Sequence, residues 1–151
     1  MLSDWLKKIK QIFFKALRLN NTPHEIALGV SIGVFIAILP LYGLHTLLVV
    51  IFAMMIPHAN KIAILLGTNI SLPPTVPFIT WVGYEIGRFF LNKSYPPFNL
   101  AYFTKINFQI IKDLYLPLFI GSFILGIISA IIFYFIALFI VKKIQAKKEE
   151  L

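Results

Sequence analysis

The chain has 151 residues, of which 59% are hydrophobic and 13% are charged, and its formal net charge is +8. Soluble domains average about 45–50% apolar and about 25% charged residues, so this composition indicates a membrane protein, here a single domain over residues 1–151. The chain has no cysteine, which excludes disulfides, thiolate catalysis and cysteine-ligated metals. Because the basic residues cluster at the two ends, we expect them to contact membrane lipids and not nucleic acid.

Residues 1–20 are predicted to form an interfacial amphipathic helix. Trp5, Ile9 and Phe13 recur at helical spacing, and basic residues such as Lys8 and Lys15 occupy much of the remainder. A basic helix with aromatic residues on its other face is typical of binding in the headgroup region, and packing on the rest of the protein is the alternative. The interleaving of basic and apolar residues is unlike a cleaved signal peptide.

The next segment, residues 26–60, contains no charged residue, yet a Pro-x-x-Gly sequence interrupts it at 40–43. Such a long apolar stretch is typical of a membrane-embedded segment. Hydrocarbon cannot satisfy the backbone groups that the break frees, so we expect the break to be buried in protein or to line a wet cavity. Broken helices at membrane depth are a recurring way of building ion or substrate sites.

A capping box of Thr22 and Glu25 predicts a helix that begins directly after Thr22 and runs to Leu39. Gly43 then opens a second apolar helix, which ends at Pro57. Each helix is too short to cross a bilayer untilted, which favours a re-entrant hairpin. The alternative is one span followed by an interfacial segment.

A second apolar stretch begins at Lys61 and is broken at 72–77, where two consecutive prolines end one helix and Thr75 can cap the next. We interpret it as a second hairpin-like broken segment, so that residues 22–91 form a broken-helix core. The helix after the break carries Glu85 and Arg88, which can pair on one side of the helix.

Residues 92–113 are predicted to form a surface linker with a helix of its own, and residues 114–141 one plain transmembrane helix. Residues 142–151 are a basic tail. The predicted fold is therefore an all-α integral membrane protein. Small residues spaced four apart on three helices predict close helix packing. They are Gly29, Gly33, Gly83, Gly87, Ser122, Gly126 and Ala130.

Topology follows from the positive charges. Five basic residues precede Ile26 and four follow Val141, so both termini are expected in the cytoplasm. An even number of crossings results if the first hairpin is re-entrant and single spans cover 61–91 and 117–141. The lysines of the linker would then lie outside, which counts against this arrangement.

Two motifs resemble a known family. The first lies in residues 22–48, and its matching positions are Pro23, Ile26, Ala27, Leu28, Gly29, Gly33, Phe35, Pro40, Gly43, His45 and Thr46. The second lies in residues 65–88, and its matching positions are Gly67, Thr68, Ile70, Pro73, Thr75 and Pro77. Over about residues 20–140 the chain resembles the bacterial membrane family catalogued as domain of unknown function 2062. Leu72 and Phe78 depart from the family pattern, which has Asn and Pro there.

The resemblance implies a location in the bacterial cytoplasmic (inner) membrane but no established activity. Some relatives carry the domain beside a glycosyltransferase domain, which points to the cell envelope or lipid-linked sugars. The architecture also resembles that of larger proteins with paired re-entrant hairpins that move polyprenyl-phosphate carriers, by analogy of fold alone.

The candidate substrate-binding residues lie at the two breaks and on the helix after the second. They are Pro40, Tyr42, Gly43, His45, Thr46, Thr68, Asn69, Ser71, Thr75, Glu85 and Arg88. His45 and Thr46 can bind a phosphate or relay a proton beside open N–H groups, or they can satisfy carbonyls freed by Pro40. The second break allows the same two interpretations. Glu85 is either part of a membrane-depth site or the structural partner of Arg88.

The first functional hypothesis is a polar midplane site that binds or translocates a small or lipid-linked anionic substrate in a homo-oligomer. The alternative is a non-transporting interaction module for an envelope-biosynthesis partner such as a glycosyltransferase. The sequence shows no catalytic constellation, so we expect no enzyme and no cofactor, and the spacing of the histidines does not predict a metal site. Transport requires the two breaks to face each other across a water-accessible cavity, whereas a module can bury them dry.

Overall fold

The computed structural model describes residues 21–41, 43–71, 74–91, 95–96 and 108–149, together with positions 7 and 11. Within these ranges all regular secondary structure is helical, as the sequence predicted, and the structure describes five helices in full. They are α1 (Pro23–Ile38), α2 (His45–Met55), α3 (Lys61–Thr68), α4 (Val76–Phe90) and α5 (Phe108–Glu149). Most of the predicted interfacial helix and most of the 92–113 linker lie outside the described residues.

The start of α1 has the predicted capping box. The Glu25 N–H donates to the Thr22 hydroxyl at 3.3 Å, and the Thr22 N–H donates to the Glu25 carboxylate at 2.9 Å. Pro40 follows the helix end, where a residue without an N–H cannot continue the hydrogen-bond ladder. Buried residues lie on nearly every side of α1, which packs against α2, α3 and α5. This helix is therefore the centre of the molecule.

The first broken segment is a hairpin, as predicted. Gly43 has φ +88°, a backbone conformation that glycine adopts without strain, at the point where the chain reverses. Val49 of α2 then packs against Ile32 and Ile36 of α1. Further along, the Asn60 N–H donates to the carbonyl of Glu25 at 3.0 Å. The chain thus returns to the level at which α1 began.

The second broken segment is not a hairpin, so the hairpin-like interpretation is wrong, whereas the topology prediction of one broken segment over 61–91 without a reversal agrees with the observed helix directions. Gly29 of α1 lies against Ala63, and Gly33, one turn later, lies against Gly67, so α3 runs parallel to α1. In contrast, Phe35 of α1 lies against Gly126 near the middle of α5, whereas the start of α1 lies against the end of α5, so these two helices are antiparallel.

The helix α4 is also antiparallel to α5, because Gly83 lies against Ser122 and Gly87 against Pro117. It follows that α3 and α4 run in the same general direction on either side of the second break. The physical reason is that each helix packs on a different partner, α3 on α1 and α4 on α5, and each partner determines the direction of the helix packed on it.

The last helix is longer than predicted at both ends. α5 has 42 residues and includes the final part of the predicted linker and most of the predicted basic tail. No helix breaker occurs between Phe108 and Pro117 or after Val141, so the helix continues through both regions. Among the described helices, α5 is the one long and apolar enough to cross a membrane, over Asp113–Lys147.

Candidate functional site

Several backbone groups at the first break form hydrogen bonds within the break itself. His45 Nε2 donates to the carbonyl oxygen of Leu39 at 3.3 Å. The Leu41 N–H donates to the same carbonyl at 2.8 Å, and the Leu44 N–H donates to the Leu41 carbonyl at 3.0 Å. This arrangement corresponds to the structural interpretation of His45, a partner for backbone groups freed beside Pro40. Tyr42, another candidate residue, lies outside the described residues.

The start of α2 is open to the surroundings. Leu44 occupies the position before the helix and provides no side-chain cap for its first N–H groups. Gly43 and Thr46 are exposed, and a Cβ placed on Gly43 would meet no atom within 4 Å. Pro40, in contrast, is buried. The free N–H groups of an exposed helix N-terminus attract anionic groups, and binding of an anion beside Thr46 stays a prediction.

At the second break, too, polar side chains form hydrogen bonds to nearby backbone carbonyls. The Thr68 hydroxyl and the Asn69 amide both donate to the Leu65 carbonyl, at 2.7 and 2.9 Å. The Thr75 hydroxyl donates backwards to the carbonyl of Ile70 at 2.7 Å. Thr75 therefore stands at the predicted cap position of α4, but its side chain forms no cap hydrogen bond there and instead connects the two sides of the break.

Ser71, the remaining candidate at this break, takes part through its backbone. Its N–H donates to the Thr68 carbonyl at 3.3 Å. The turn after α3 is thereby held by a short series of backbone bonds that also includes Asn69 N–H to Leu66 O at 3.1 Å. Together with the side-chain bonds, these contacts explain how the chain leaves α3 without a regular helical turn.

Glu85 and Arg88 form the ion pair that their spacing predicted, with 3.0 Å between the carboxylate and the guanidinium. Both side chains are partly exposed, and they lie on the last turns of α4. An open groove of about 320 Å³ runs beside the pair along α4. Its described lining residues are Trp81, Val82, Glu85, Ile86, Phe89 and Phe90. The carboxylate is therefore the polar feature of an otherwise apolar surface.

The two breaks follow the same ends of two parallel helices. Because Gly33 meets Gly67, α1 and α3 end on the same side of their interface. A cavity of about 210 Å³ lies beside the second break, and its described lining residues are Val30, Val34, Leu66, Gly67, Ile70 and Phe133. These side chains are apolar, and neither His45 nor Thr75 is among them. A shared polar site between the two breaks stays a prediction.

A profile of uncharacterised proteins conserved in bacteria, domain of unknown function 2062 (DUF2062), matches residues 6–150. The chain belongs to the DUF2062 family. The resemblance inferred from the two motifs is thereby confirmed, and the match extends over all five described helices. No curated protein and no solved structure matches the chain.

In this DUF2062 protein the predicted small residues do mediate close packing. A Cβ on Gly29 would lie 2.5 Å from the Asn60 carbonyl oxygen, and one on Gly83 would lie 2.6 Å from the Ser122 hydroxyl. The small residues of α5 contact two different helices, since Ser122 faces α4 while Gly126 faces Phe35 of α1. Ala130, the last of these small residues, is half-buried.

Sequence reasoning missed two further glycines of these interfaces. Gly67 lies against the Val30 carbonyl in α1, and Gly121 lies against the backbone of Gly83 and Gly87 in α4. Their position inside apolar helices was the available signal. Each therefore completes an interface in which glycines from both helices allow the backbones to touch.

Two aromatic hydroxyl contacts were also missed. Tyr84 is 1% exposed, and its hydroxyl donates to the Pro96 carbonyl at 2.6 Å, which connects α4 to the following segment. Tyr134 of α5 is hydrogen-bonded to His24 Nδ1 near the start of α1. Nothing in the sequence spacing pairs these residues, because both contacts join separate elements. Within the described part of the chain no group of three or more His, Cys, Asp or Glu residues could hold a metal ion.

Proposed function

We propose that this DUF2062 protein is an integral protein of the bacterial cytoplasmic membrane and acts there as a non-transporting interaction module. The observation that carries the membrane assignment is the exposure of α5. Only 17% of its most apolar 18-residue window is buried within the molecule. The core helix of a soluble protein would be mostly buried, so an apolar helix with this exposure is best explained by contact with lipid or with a partner.

Exposed apolar side chains on the other helices support the same assignment. Met54 and Met55 of α2 are 78% and 71% exposed, and Phe78 and Phe89 of α4 are 64% and 67% exposed. Monomeric soluble proteins rarely leave contiguous apolar patches of this kind in water. Lipid would cover most of this surface, and a protein partner or a second copy of the chain would cover the rest.

The helix directions support the proposed topology. α1 has 16 residues and is about 24 Å long, which is short of the roughly 30 Å hydrocarbon core. The α1–α2 hairpin would enter and leave on one side, α3 and α4 would cross once as an interrupted span, and α5 would return. Both termini would then lie in the cytoplasm, in agreement with the positive charges at the two ends.

The module interpretation is supported by how the polar side chains at the breaks are used. His45, Thr68 and Thr75 each donate to a backbone carbonyl of their own break. Broken helices are tolerated at membrane depth when nearby hydroxyl groups satisfy the freed backbone in this way. The described cavity beside the second break has an apolar lining, which suits packing better than passage of an anion.

Site-specific photo-crosslinking in living cells tests this function. A photoreactive amino acid would replace Met55 on α2, Phe78 on α4 or Phe139 on α5, all exposed positions on different helices. The module proposal expects a single defined protein adduct from one of these faces and lipid adducts from the others. Lipid adducts alone at all three positions, with the chain fully functional, would contradict it.

A second function has one observation in its favour. The start of α2 lacks a side-chain cap, and the exposed Thr46 stands beside it, which suits binding of a phosphate-like group. In that case Thr46→Val should abolish complementation of a deletion strain while the protein still accumulates. Thr80→Val, which alters a hydroxyl bonded within α4 away from both breaks, is the matched control and should complement. Full complementation by both variants would exclude an anion site that depends on Thr46.

A further inference from the structure

Helix packing brings lysines from distant parts of the chain to one end of the molecule. Ala63 of α3 and Val141 of α5 are both fully buried, and they share a cluster with Ile26 of α1. Lys61 lies two positions before Ala63, and Lys142 directly follows Val141; both lysines are exposed. Since Ala63 and Val141 both belong to the cluster around Ile26, the two lysines lie at the same end of the molecule.

The last turns of α5 extend this surface. Gln145 Nε2 donates to the Asn21 carbonyl at 3.2 Å, which holds the end of α5 against the start of α1. Lys143 and Lys147 lie on either side of Gln145 along the helix, and both are exposed. We call Lys61, Lys142, Lys143 and Lys147 the basic end of the molecule.

The charged side chains that the structure describes at the basic end are mostly positive. Glu25 is the acid there whose side chain the structure describes, and its carboxylate is engaged in the cap of α1. Among the side chains described at this end, four exposed lysines therefore accompany one carboxylate, which is engaged in the helix cap. At the opposite end, among the side chains that the structure describes, Arg88 is paired with Glu85 at 3.0 Å.

We propose that the basic end binds the anionic phospholipid headgroups of one leaflet, a role that rests on the membrane integration proposed above. The uncharged part of α5 ends directly before Lys142, which would place the ammonium groups at the boundary of the hydrocarbon. Lysine stems lie along apolar surface at such a boundary while their ammonium groups reach the phosphates. Since all four lysines are exposed, the binding weakens as salt concentration rises.

Native mass spectrometry of the full chain in a neutral detergent tests this surface. The probes are phosphatidylglycerol and phosphatidylcholine with identical acyl chains. Each lysine that contacts an anionic headgroup adds roughly a fivefold factor, and one bound headgroup contacts one or two lysines, so the wild type should bind phosphatidylglycerol about 5–25-fold more tightly than phosphatidylcholine. The double variant Lys142→Gln, Lys143→Gln should reduce this preference to about twofold or less. Lys112→Gln is the matched control, because it removes one charge from the opposite end of the same helix and should retain the preference.

Three results would overturn the proposal. The first is equal binding of the two lipids by the wild type, and the second is an equal loss of preference in Lys112→Gln. The third is capture of a polyglutamate peptide with no preference for phosphatidylglycerol, which would assign the basic end to an acidic protein. An alkaline carbonate wash of the membranes separates this proposal from the previous one. Release of the chain refutes membrane integration, whereas a retained chain without lipid preference refutes only the role of the basic end.

Discussion

Replacing Gly33 by alanine should push α1 and α3 apart. A Cβ at this position would overlap the carbonyl oxygen of Ile64 and would lie 2.7 Å from the Cα of Gly67. Both obstacles are backbone atoms, so no side-chain rotation can relieve the overlap, and the helices must separate by roughly 1 Å. A gap of about 0.5–1 Å already loses a quarter to a half of the dispersion attraction between facing atoms.

The expected cost combines two opposing effects. Overpacking of a tight interface destabilises by about 1–3 kcal/mol, and the upper part of that range applies where backbone meets backbone. Alanine regains about 1 kcal/mol through its higher helix propensity. The net loss should be about 2 kcal/mol, or roughly 4–8 °C in the unfolding midpoint of a chain of this size.

Thermal unfolding of the purified protein in a mild detergent measures this loss. Val50→Ile is the matched control, because it also adds one carbon but does so at a half-exposed position on α2, where a change within about 0.5 kcal/mol is expected. A Gly33→Ala variant as stable as the wild type, or more stable, would show that the α1 and α3 backbones do not touch there.

Two further substitutions test hydrogen bonds that join separate segments. Thr75→Val removes the hydroxyl that donates to the Ile70 carbonyl and should destabilise the protein by about 1–2 kcal/mol. Thr75→Ser keeps a hydroxyl and should stay close to the wild type in stability. Equal unfolding midpoints for the two variants would contradict this hydrogen bond. Tyr84→Phe removes the donor to the Pro96 carbonyl and should lower the free energy of unfolding by about 1–2 kcal/mol. Protease should also cleave the segment after α4 more readily in this variant. An unchanged cleavage pattern would show that Tyr84 does not hold this segment.

The local signals in the sequence predicted the helix boundaries of the first segment well. A capping box at Thr22 and a proline at position 40 act on neighbouring residues, so they can be interpreted without knowing the rest of the fold. Gly43 likewise indicated the reversal that its positive φ now provides. The ion pair of Glu85 and Arg88 was predictable for the same reason, since both residues lie on one helix.

The direction of the second segment could not be obtained in this way. Prolines at positions 73 and 74 indicate that a helix ends, but they do not determine whether the next helix reverses. That outcome depends on Gly67 meeting α1 and on Gly87 meeting α5, which are contacts between elements far apart in sequence. The extent of α5 was underestimated because its ends were judged by polarity, whereas no residue there breaks a helix.

The sequence predicted which residues belong to the candidate site but not how they are positioned in space. One of the two interpretations that the sequence allowed was a partner for freed carbonyls, and the side chains of His45, Asn69 and Thr75 donate to such groups. Whether they also meet a ligand depends on distances between the breaks, and composition contains no information on such distances.

Cysteine accessibility in intact cells tests the central claim most directly, because the chain has no native cysteine to interfere. Single cysteines would replace His58 after α2, Phe108 at the start of α5 and Leu44 at the tip of the hairpin, all of which are exposed. A membrane-impermeant maleimide should label position 108 from outside, label position 58 only in inverted vesicles, and leave position 44 unlabelled from outside. Labelling of position 44 or 58 from outside would contradict the re-entrant hairpin, and labelling of position 108 only after lysis would contradict membrane integration with both termini in the cytoplasm.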